Sequence, residues 1–305
     1  MRDRADTMHV RVILNPYANR WGAQRKIPLV KSALAGGGVR ADVSITDAPE
    51  VAIAVARQAA LDGYDAVVAA GGDGTVSEVV NGLIQAAGDG PTVPLGILPI
   101  GTGNDFSDMT GTPRALADAV AVIAAGQTRQ IDAGRVNGRY FDNNCALAME
   151  PMVTIENVKI KRLSGNARYI AALVRALIRL KAWQMRIRWD EGEIEGPTLL
   201  LSVCNSPRTG GVFLMAPPAK MDDGLFDFVY APEMSKAQVL AILPKLFNGS
   251  HLQHPLVRHA RTRRLVVESI PGTPIHADGE VIAEAEERVE YEVLPQKITL
   301  LSRAA

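Results

Sequence analysis

Two glycine-rich turns and three acidic sites are the parts of this sequence equipped for chemistry. The first turn lies in "VVAAGGDGTVSEVVNGLI", 67–84, where an apolar stretch runs into Gly71-Gly72-Asp73-Gly74-Thr75 and on into a helical pattern. Gly-Gly and Asp-Gly suit a plain turn. They equally suit a strand-to-helix turn that aims backbone N–H groups and a helix dipole at one spot, an anion site whose usual occupant is phosphate. A second turn, Gly101-Thr102-Gly103-Asn104-Asp105, follows thirty residues later. Together the two would cradle a polyphosphate, with Thr75 and Thr102 donating hydroxyls. Asp73 is the odd member, because a carboxylate repels phosphate. It makes sense if Mg²⁺ or its waters intervene, or if it holds a ribose hydroxyl. The chain has no GxxxxGK[ST], and Phe106 stands where G-x-G-x-x-G needs its third glycine, which disfavours a hydride-transferring dinucleotide enzyme.

The other acidic sites lie far downstream. Asp222, Asp223 and Asp227 in "APPAKMDDGLFDF" suit a hard cation that takes oxygen ligands, or else the Asp-Gly pair marks a hairpin turn. Asp278 and Glu280 in "IHADGEVI" fall on one face if that segment alternates as a strand. His276 beside them reads as a structural hydrogen-bonder.

The elements that must position these residues follow from hydrophobic periodicity. Up to about residue 130, strands (Val10–Asn15, Arg40–Thr46, Tyr64–Ala70, Leu95–Leu98) alternate with helices (Ala23–Ala35, Pro49–Leu61, the segment after Gly74, Pro113–Ala125). That order predicts a parallel sheet with the loops "NPYAN", "GGDGT" and "GTGND" at the carboxyl ends of its strands. Beyond it, short alternating runs ("QMRIRWD", "TLLLSVCN", "LFDFVYA", "RVEYEV") predict an antiparallel domain interrupted by helices Asn166–Trp183 and Ser235–Phe247. Two domains are expected, 8–130 and 131–305, with the last strand returning to the first or staying in the second.

Composition narrows the classes. The chain has 305 residues, 47% apolar and 22% charged, with 33 basic and 33 acidic side chains. This is a globular balance with no global charge for nucleic acid. Cys145 and Cys204 are the two cysteines; they form no metal or disulfide pattern, read as buried apolar residues and fit a reducing cytoplasm. No run is long enough to span a bilayer, and "MRDRADTMHV" lacks the apolar core of a signal peptide. Between Val158 and Trp189 stand nine Lys/Arg and no acid. Over 166–181, Ile170, Leu173, Val174, Leu177 and Ile178 share a face, with Arg168, Arg175 and Arg179 roughly opposite. Such a helix either docks on an anionic membrane or packs on the core with solvated arginines.

"GGDGTVSEVVNGL" followed by "LGILPIGTGNDF" resembles the diacylglycerol kinase catalytic domain, the family of bacterial soluble lipid kinases, sphingosine kinases and ceramide kinases. The likeness runs from Val10 to Leu301. It implies an α/β plus β, NAD kinase/diacylglycerol kinase-like architecture: a Rossmann-like parallel-sheet nucleotide domain and an antiparallel β-sandwich-like domain, with ATP between them. Within "NPYAN", Asn15 and Pro16 match the family's NPxSG, whereas Ala18 and Asn19 replace its Ser and Gly. Thr46 aligns with a nucleotide-contacting Thr, and the stretch from Gly72 to Glu78 with Thr102 matches phosphate- and nucleoside-binding positions; Gly71, Gly101 and Asn104 complete the turns. The resemblance implies a structural Mg²⁺ held by Asp223 and the carbonyls of Lys220 and Leu225. It places the general base in the DGE segment, Glu280 with Asp278 assisting, and Asp73 among the catalytic residues. Two regions depart from the family, "DNNCALAMEPMVTIEN" and "CNSPRTGG", both in the domain that meets the acceptor.

The resemblance therefore implies an ATP- and Mg²⁺-dependent kinase of lipid hydroxyls in phospholipid metabolism, at the cytoplasmic membrane face through helix 166–181, as a monomer or a homodimer. Two alternatives stay open: an NAD kinase-like enzyme, which shares GGDGT, and a nucleotide-binding regulator without kinase activity.

Overall fold

The computed structural model describes residues 7–18, 23–163 and 165–303. The chain divides into two compact units, Met1–Ala133 with Pro295–Ala305, and Gly134–Leu294. Asn19 lies outside the described residues. Among those described, no helix is long and apolar enough to cross a membrane.

The first unit is built from β1 (His9–Leu14), α1 (Ile27–Gly36), β2 (Arg40–Ile45), α2 (Val51–Leu61), β3 (Ala66–Gly71), α3 (Asp73–Ala87), β4 (Leu95–Pro99), α4 (Asp105–Thr110), α5 (Leu116–Ala125) and the start of β5 (Thr128–Val136). Strands β2, β1, β3 and β4 pair side by side, all parallel. Every residue of β3, AVVAAG, is buried, the continuous apolar run expected of a strand covered on both faces. Helix α3 buries Val76, Val79, Val80, Leu83 and Ile84, the i, i+3, i+4 stripe of its sequence. The first helix begins later than its sequence pattern predicts. Gln24–Lys26 form a 3₁₀ turn before α1, since Pro28 sits best in the first turn of a helix. The six-residue α4 has no periodicity long enough to announce it.

The second unit comprises the end of β5, β6 (Arg139–Phe141), β7 (Asn144–Ala148), α6 (Met149–Lys159), α7 (Gly165–Ile178), β8 (Trp183–Trp189), β9 (Gly192–Cys204), β10 (Phe226–Pro232), α8 (Lys236–Ile242), β11 (Arg258–Thr262), β12 (Arg264–Ala277) and β13 (Glu280–Leu301) as far as Leu294. Its strands pair antiparallel, β10 between β11 and β9, and β12 against β7, β8 and β13. Phe141, Phe226, Phe228, Val267 and Tyr291 lie in its apolar core. Both cysteines are buried and free, and burial pushes their thiols up.

Two expectations for this unit need correction. Helix α7 ends at Ile178, and Trp183 opens β8 instead of closing the helix. The predicted apolar face splits: Leu177 is buried and Leu173 partly so, beside the buried Ala172 and Ala176, whereas Ile170, Val174 and Ile178 stand exposed. Alanines flanking the stripe let α7 approach α6 closely, rotating the larger residues at 170, 174 and 178 outward. Helix α6 itself went unforeseen, because MEPMVTIENVK carries no clear apolar stripe and buries Glu156 beside Val153. Ala148 has φ +69° and ψ −114°, a conformation natural to glycine.

Candidate active site

The two glycine turns are locked together by backbone. Gly71 O, at the end of β3, accepts the N–H groups of both Ile100 and Gly101, each at 3.0 Å. A Cβ on Gly101 would lie 2.3 Å from Gly72 Cα, and one on Gly71 would lie 2.2 Å from Thr75 Oγ1. Only glycine permits that approach. Helix α3 begins at Asp73 immediately after this junction, so its first N–H groups, which have no intrahelical acceptor, stand beside the second turn. Asp73 Oδ1 accepts the N–H of Phe106 at 3.1 Å, tying the first turn to the start of α4.

Around the junction, Asn15 Nδ2 donates to Thr75 Oγ1 at 3.1 Å and Asn15 Oδ1 accepts from Tyr17 N–H at 2.9 Å. Pro16 and Thr46 are buried, Gly74 and Glu78 half-buried, and Thr102 exposed. Asn104, at φ +59°, is buried with its Oδ1 lacking a hydrogen-bond partner. Two cations that sequence reasoning passed over also belong here. Arg114 donates to Gly103 O at 3.1 Å and to both oxygens of Asp108, and Lys26 Nζ lies 3.5 Å from Ile100 O. Both are separated from the turns in sequence, with no motif to mark them.

In the second unit, the DGE segment is a hairpin. Ala277 pairs with Glu280, and Asp278 and Gly279 between them have φ +49° and +83°, the signs of a two-residue type I′ turn. The expected alternation of Asp278 and Glu280 on one strand face therefore fails, because the chain reverses between them. Asp278 is buried and its carboxylate accepts three backbone N–H groups, from Asp142 (3.1 Å), Asn143 (2.9 Å) and Asn144 (3.1 Å). Glu280 differs: its side chain is 45% exposed and Oε2 meets Arg139 Nη2 at 3.1 Å. One acid is built into backbone; the other faces outward with a cationic neighbour.

Beneath the hairpin lies a polar cluster with no local sequence signal. Glu150 Oε1 accepts from Asn144 Nδ2 at 2.9 Å, lies 3.0 Å from Thr209 Oγ1 and 3.4 Å from His276 Nε2. Burial pushes the Glu150 carboxyl up, but His276, Asn144 and Thr209 outweigh it and leave the group below its ordinary value. His276 Nδ1 accepts the N–H of Gly279 at 3.2 Å.

The loop expected to hold a structural cation is occupied otherwise. Asp223 Oδ2 is bonded by the Arg261 guanidinium, and Oδ1 accepts the N–H of Leu225 at 3.2 Å. Asp227 pairs with His259 at 2.5 Å and with Arg261 at 3.6 Å. Asp222 is exposed. The Arg261 guanidinium thus meets both Asp223 and Asp227, and among the described residues no group of three His, Cys, Asp or Glu could hold a metal ion. For Asp223 to hold Mg²⁺ with the carbonyls of Lys220 and Leu225, the Arg261 guanidinium would have to leave its Oδ2.

Comparison with known proteins covers both units. Residues 9–136 match the model described as the diacylglycerol kinase catalytic domain, and 148–302 match the YegS C-terminal NAD kinase beta sandwich-like domain. The diacylglycerol kinase of Staphylococcus saprophyticus is 31% identical over 282 residues, spanning 92% of this chain and 90% of its own. That of Staphylococcus epidermidis is 32% identical, with 92% and 86% covered. A crystal structure of a diacylglycerol kinase from Bacillus anthracis superposes with a TM-score of 0.74 at 22% identity, covering 97% of each chain, which speaks to the fold. Identity at this level over nearly the full length, with the glycine turns included, means that the chain belongs to the diacylglycerol kinase family.

Proposed function

We propose that this lipid kinase transfers the γ-phosphoryl group of ATP, taken as its Mg²⁺ complex, to a hydroxyl of a diacylglycerol-like membrane lipid. The observation that carries the reading is the backbone junction of Gly71, Gly72 and Gly101. It leaves room for phosphate oxygens against amide N–H groups at the start of α3. Thr75, Thr102 and Lys26 would supply further donors, and Asp73 would serve a Mg²⁺ or its waters, or hold a ribose hydroxyl. Phosphoryl transfer needs positioning and charge neutralisation more than covalent chemistry, and these groups provide both.

The acceptor hydroxyl is a weak nucleophile until its proton leaves. Glu280 takes that proton as the acceptor oxygen bonds to the γ-phosphorus and the bond to the β-phosphate oxygen breaks, releasing ADP. Support for Glu280 over Asp278 comes from satisfaction of the carboxylates. Asp278 already accepts three backbone N–H groups, so it orders the turn and Glu280 does the proton transfer. Access to the lipid is assigned to α7, in the predicted 166–181 segment, at an anionic, cytoplasmic membrane face. Its exposed Ile170, Val174 and Ile178 form an i, i+4, i+8 ridge, with Arg175 and Arg179 held beside it by the buried Glu156.

The test is transfer of label from γ-labelled ATP to vesicles carrying diacylglycerol, monoacylglycerol, phosphatidylglycerol, sphingosine or ceramide, with NAD as a soluble control. Label enters one lipid, and Glu280→Gln lowers the rate by about 10²–10⁴-fold; Asp73→Ala abolishes it. Ile170→Glu with Ile178→Glu lowers transfer to vesicle-borne lipid about ten-fold or more, at roughly 1.5–3 kcal/mol per inserted side chain, and leaves a short-chain monomeric acceptor unaffected. Label in NAD alone, or ATP binding with no labelled product, would sink the proposal.

A further inference from the structure

The 278–279 turn is held from three directions, and one of them is a histidine with an unusual seat. Asp278 is clamped through its carboxylate by the N–H groups of 142–144 and through its own N–H by Asn144 O at 2.8 Å. The third hold is Gly279 N–H on His276 Nδ1. A backbone amide can only donate, so Nδ1 is the acceptor nitrogen and, in the neutral ring, the proton sits on Nε2. That nitrogen is buried, makes no well-formed hydrogen bond, and faces Glu150 Oε1 at 3.4 Å. Glu150 in turn is fixed by Asn144 Nδ2 and stands in the first turn of α6, where an anion is favoured by the helix dipole. Its other oxygen, Oε2, is buried without a hydrogen-bond partner. A buried carboxylate beside a ring whose tautomer it suits is the arrangement by which carboxylates orient histidines elsewhere.

We infer that His276, seated on Glu150, is a positioning residue that fixes the 278–279 turn and through it the carboxylate of Glu280. Asn144 ties the arrangement together, since its backbone pairs with Asp278 in both directions and its side chain bonds Glu150. Released from His276, the Gly279 amide would lose its acceptor. Glu280, adjacent in sequence, would then sample orientations away from the acceptor hydroxyl, and misplacement of about 1 Å costs about 10²-fold in rate. The inference rests on Glu280 as the general base.

Two substitutions separate the halves of the histidine. Asn places Oδ1 where Nδ1 stood and keeps the acceptor for Gly279; Gln reaches Glu150 but withdraws that acceptor. His276→Asn should retain kcat within about three-fold, whereas His276→Gln should lose about 10–100-fold in kcat with KM for ATP unchanged. Amide hydrogen exchange at Gly279 should stay slow in His276→Asn and become fast in His276→Gln. A merely structural histidine would give parallel losses in both variants that track thermal stability, and that pattern overturns the inference. So does slow Gly279 exchange in His276→Gln. If the unsubstituted enzyme labels no lipid, the kinase reading fails instead, and the exchange comparison alone then decides whether His276 holds the turn.

Discussion

The glycine junction of the first unit and the Asp-Gly hairpin of the second are both tight turns beside acids, yet they are held by different means. In the first, backbone meets backbone: Gly71 O takes two amides, and the space that a Cβ would fill is already used. In the second, side chains reach the backbone from far along the chain. Asp278 accepts from 142–144, and His276 and Glu150 support the turn from β12 and α6. A backbone-built site tolerates almost no substitution but needs no distant partner. A side-chain-built site can be loosened one contact at a time.

The largest effect is expected at Gly101. Gly101→Ala drives its methyl to 2.3 Å from Gly72 Cα, and neither backbone can yield without opening the junction. Nucleotide affinity should fall by about 10²-fold or more, with roughly 1–3 kcal/mol lost in stability. At Gly103 the added methyl would meet only Asp73 Oδ2, at 2.9 Å, and a side chain can rotate away. Gly103→Ala should therefore keep its fold and lose about ten-fold or less in nucleotide affinity. Equal ATP affinities for the two variants by calorimetry would break the claim that backbone contact sets the site.

Next come the two acids of the hairpin. Asp278→Asn swaps one accepting oxygen for a donor facing buried amides, so it should cost about 2–4 kcal/mol of stability as well as activity. Glu280→Gln removes a half-exposed ion pair with Arg139, worth about 0–1 kcal/mol, and should melt near the unsubstituted protein while losing most of its kcat. Denaturant midpoints read beside rates separate the roles. If Glu280→Gln were the less stable of the two, the division between positioning and proton transfer would be wrong.

A smaller effect concerns acid. The Glu150 carboxyl lies below its ordinary 4.5: burial pushes up, and His276, Asn144 and Thr209 together prevail. The unfolded chain then binds the proton at higher pH than the folded one. Stability from ionised Glu150 is complete above about 4.5 and is lost as pH falls through the folded value. Melting temperatures of Glu150→Gln should depend less steeply on pH below 4.5 than those of the unsubstituted protein. Parallel curves would mean that Glu150 adds nothing the other carboxylates do not.

Three Asp-Gly pairs show how far the sequence could be read. Asp73-Gly74 opens a helix, Asp223-Gly224 sits in a loop tied to Arg261, and Asp278-Gly279 is a type I′ hairpin. The first was legible because an apolar strand precedes it and a helical stripe follows. At 223 the sequence left a cation loop and a hairpin turn both open, and at 278 it suggested an alternating strand where the chain makes the hairpin. The dipeptide supplies positive φ, but its use depends on which strands pair across it. Arg261 and Asp223 are 38 residues apart, and Asp278 and Asn144 are 134 apart; no local period encodes either meeting. The α7 ridge failed for a related reason. A helical period identifies a stripe, and the neighbour, here α6, decides which part of it is covered.

The last comparison is inside the hairpin's own support. At Gly71 and Gly101 the first unit has glycine where contact demands it; at Ala148 the second has alanine where conformation favours glycine. Ala148 is fully buried at φ +69°, and a non-glycine residue in such a region costs about 1–3 kcal/mol. Replacing it with glycine relieves that strain but frees the unfolded chain, at about 0.4–1 kcal/mol. Ala148→Gly should therefore be more stable by about 1 kcal/mol, a rise of about 2–4 °C in melting temperature for a unit of this size. The strain holds the first turn of α6, with Glu150 on it, against β7. Relaxing that joint should widen the orientations open to Glu150 and lower kcat by a few-fold even as stability rises. A variant both more stable and equally active would mean that the strain is incidental. The side-chain-built site would then owe its order to hydrogen bonds alone.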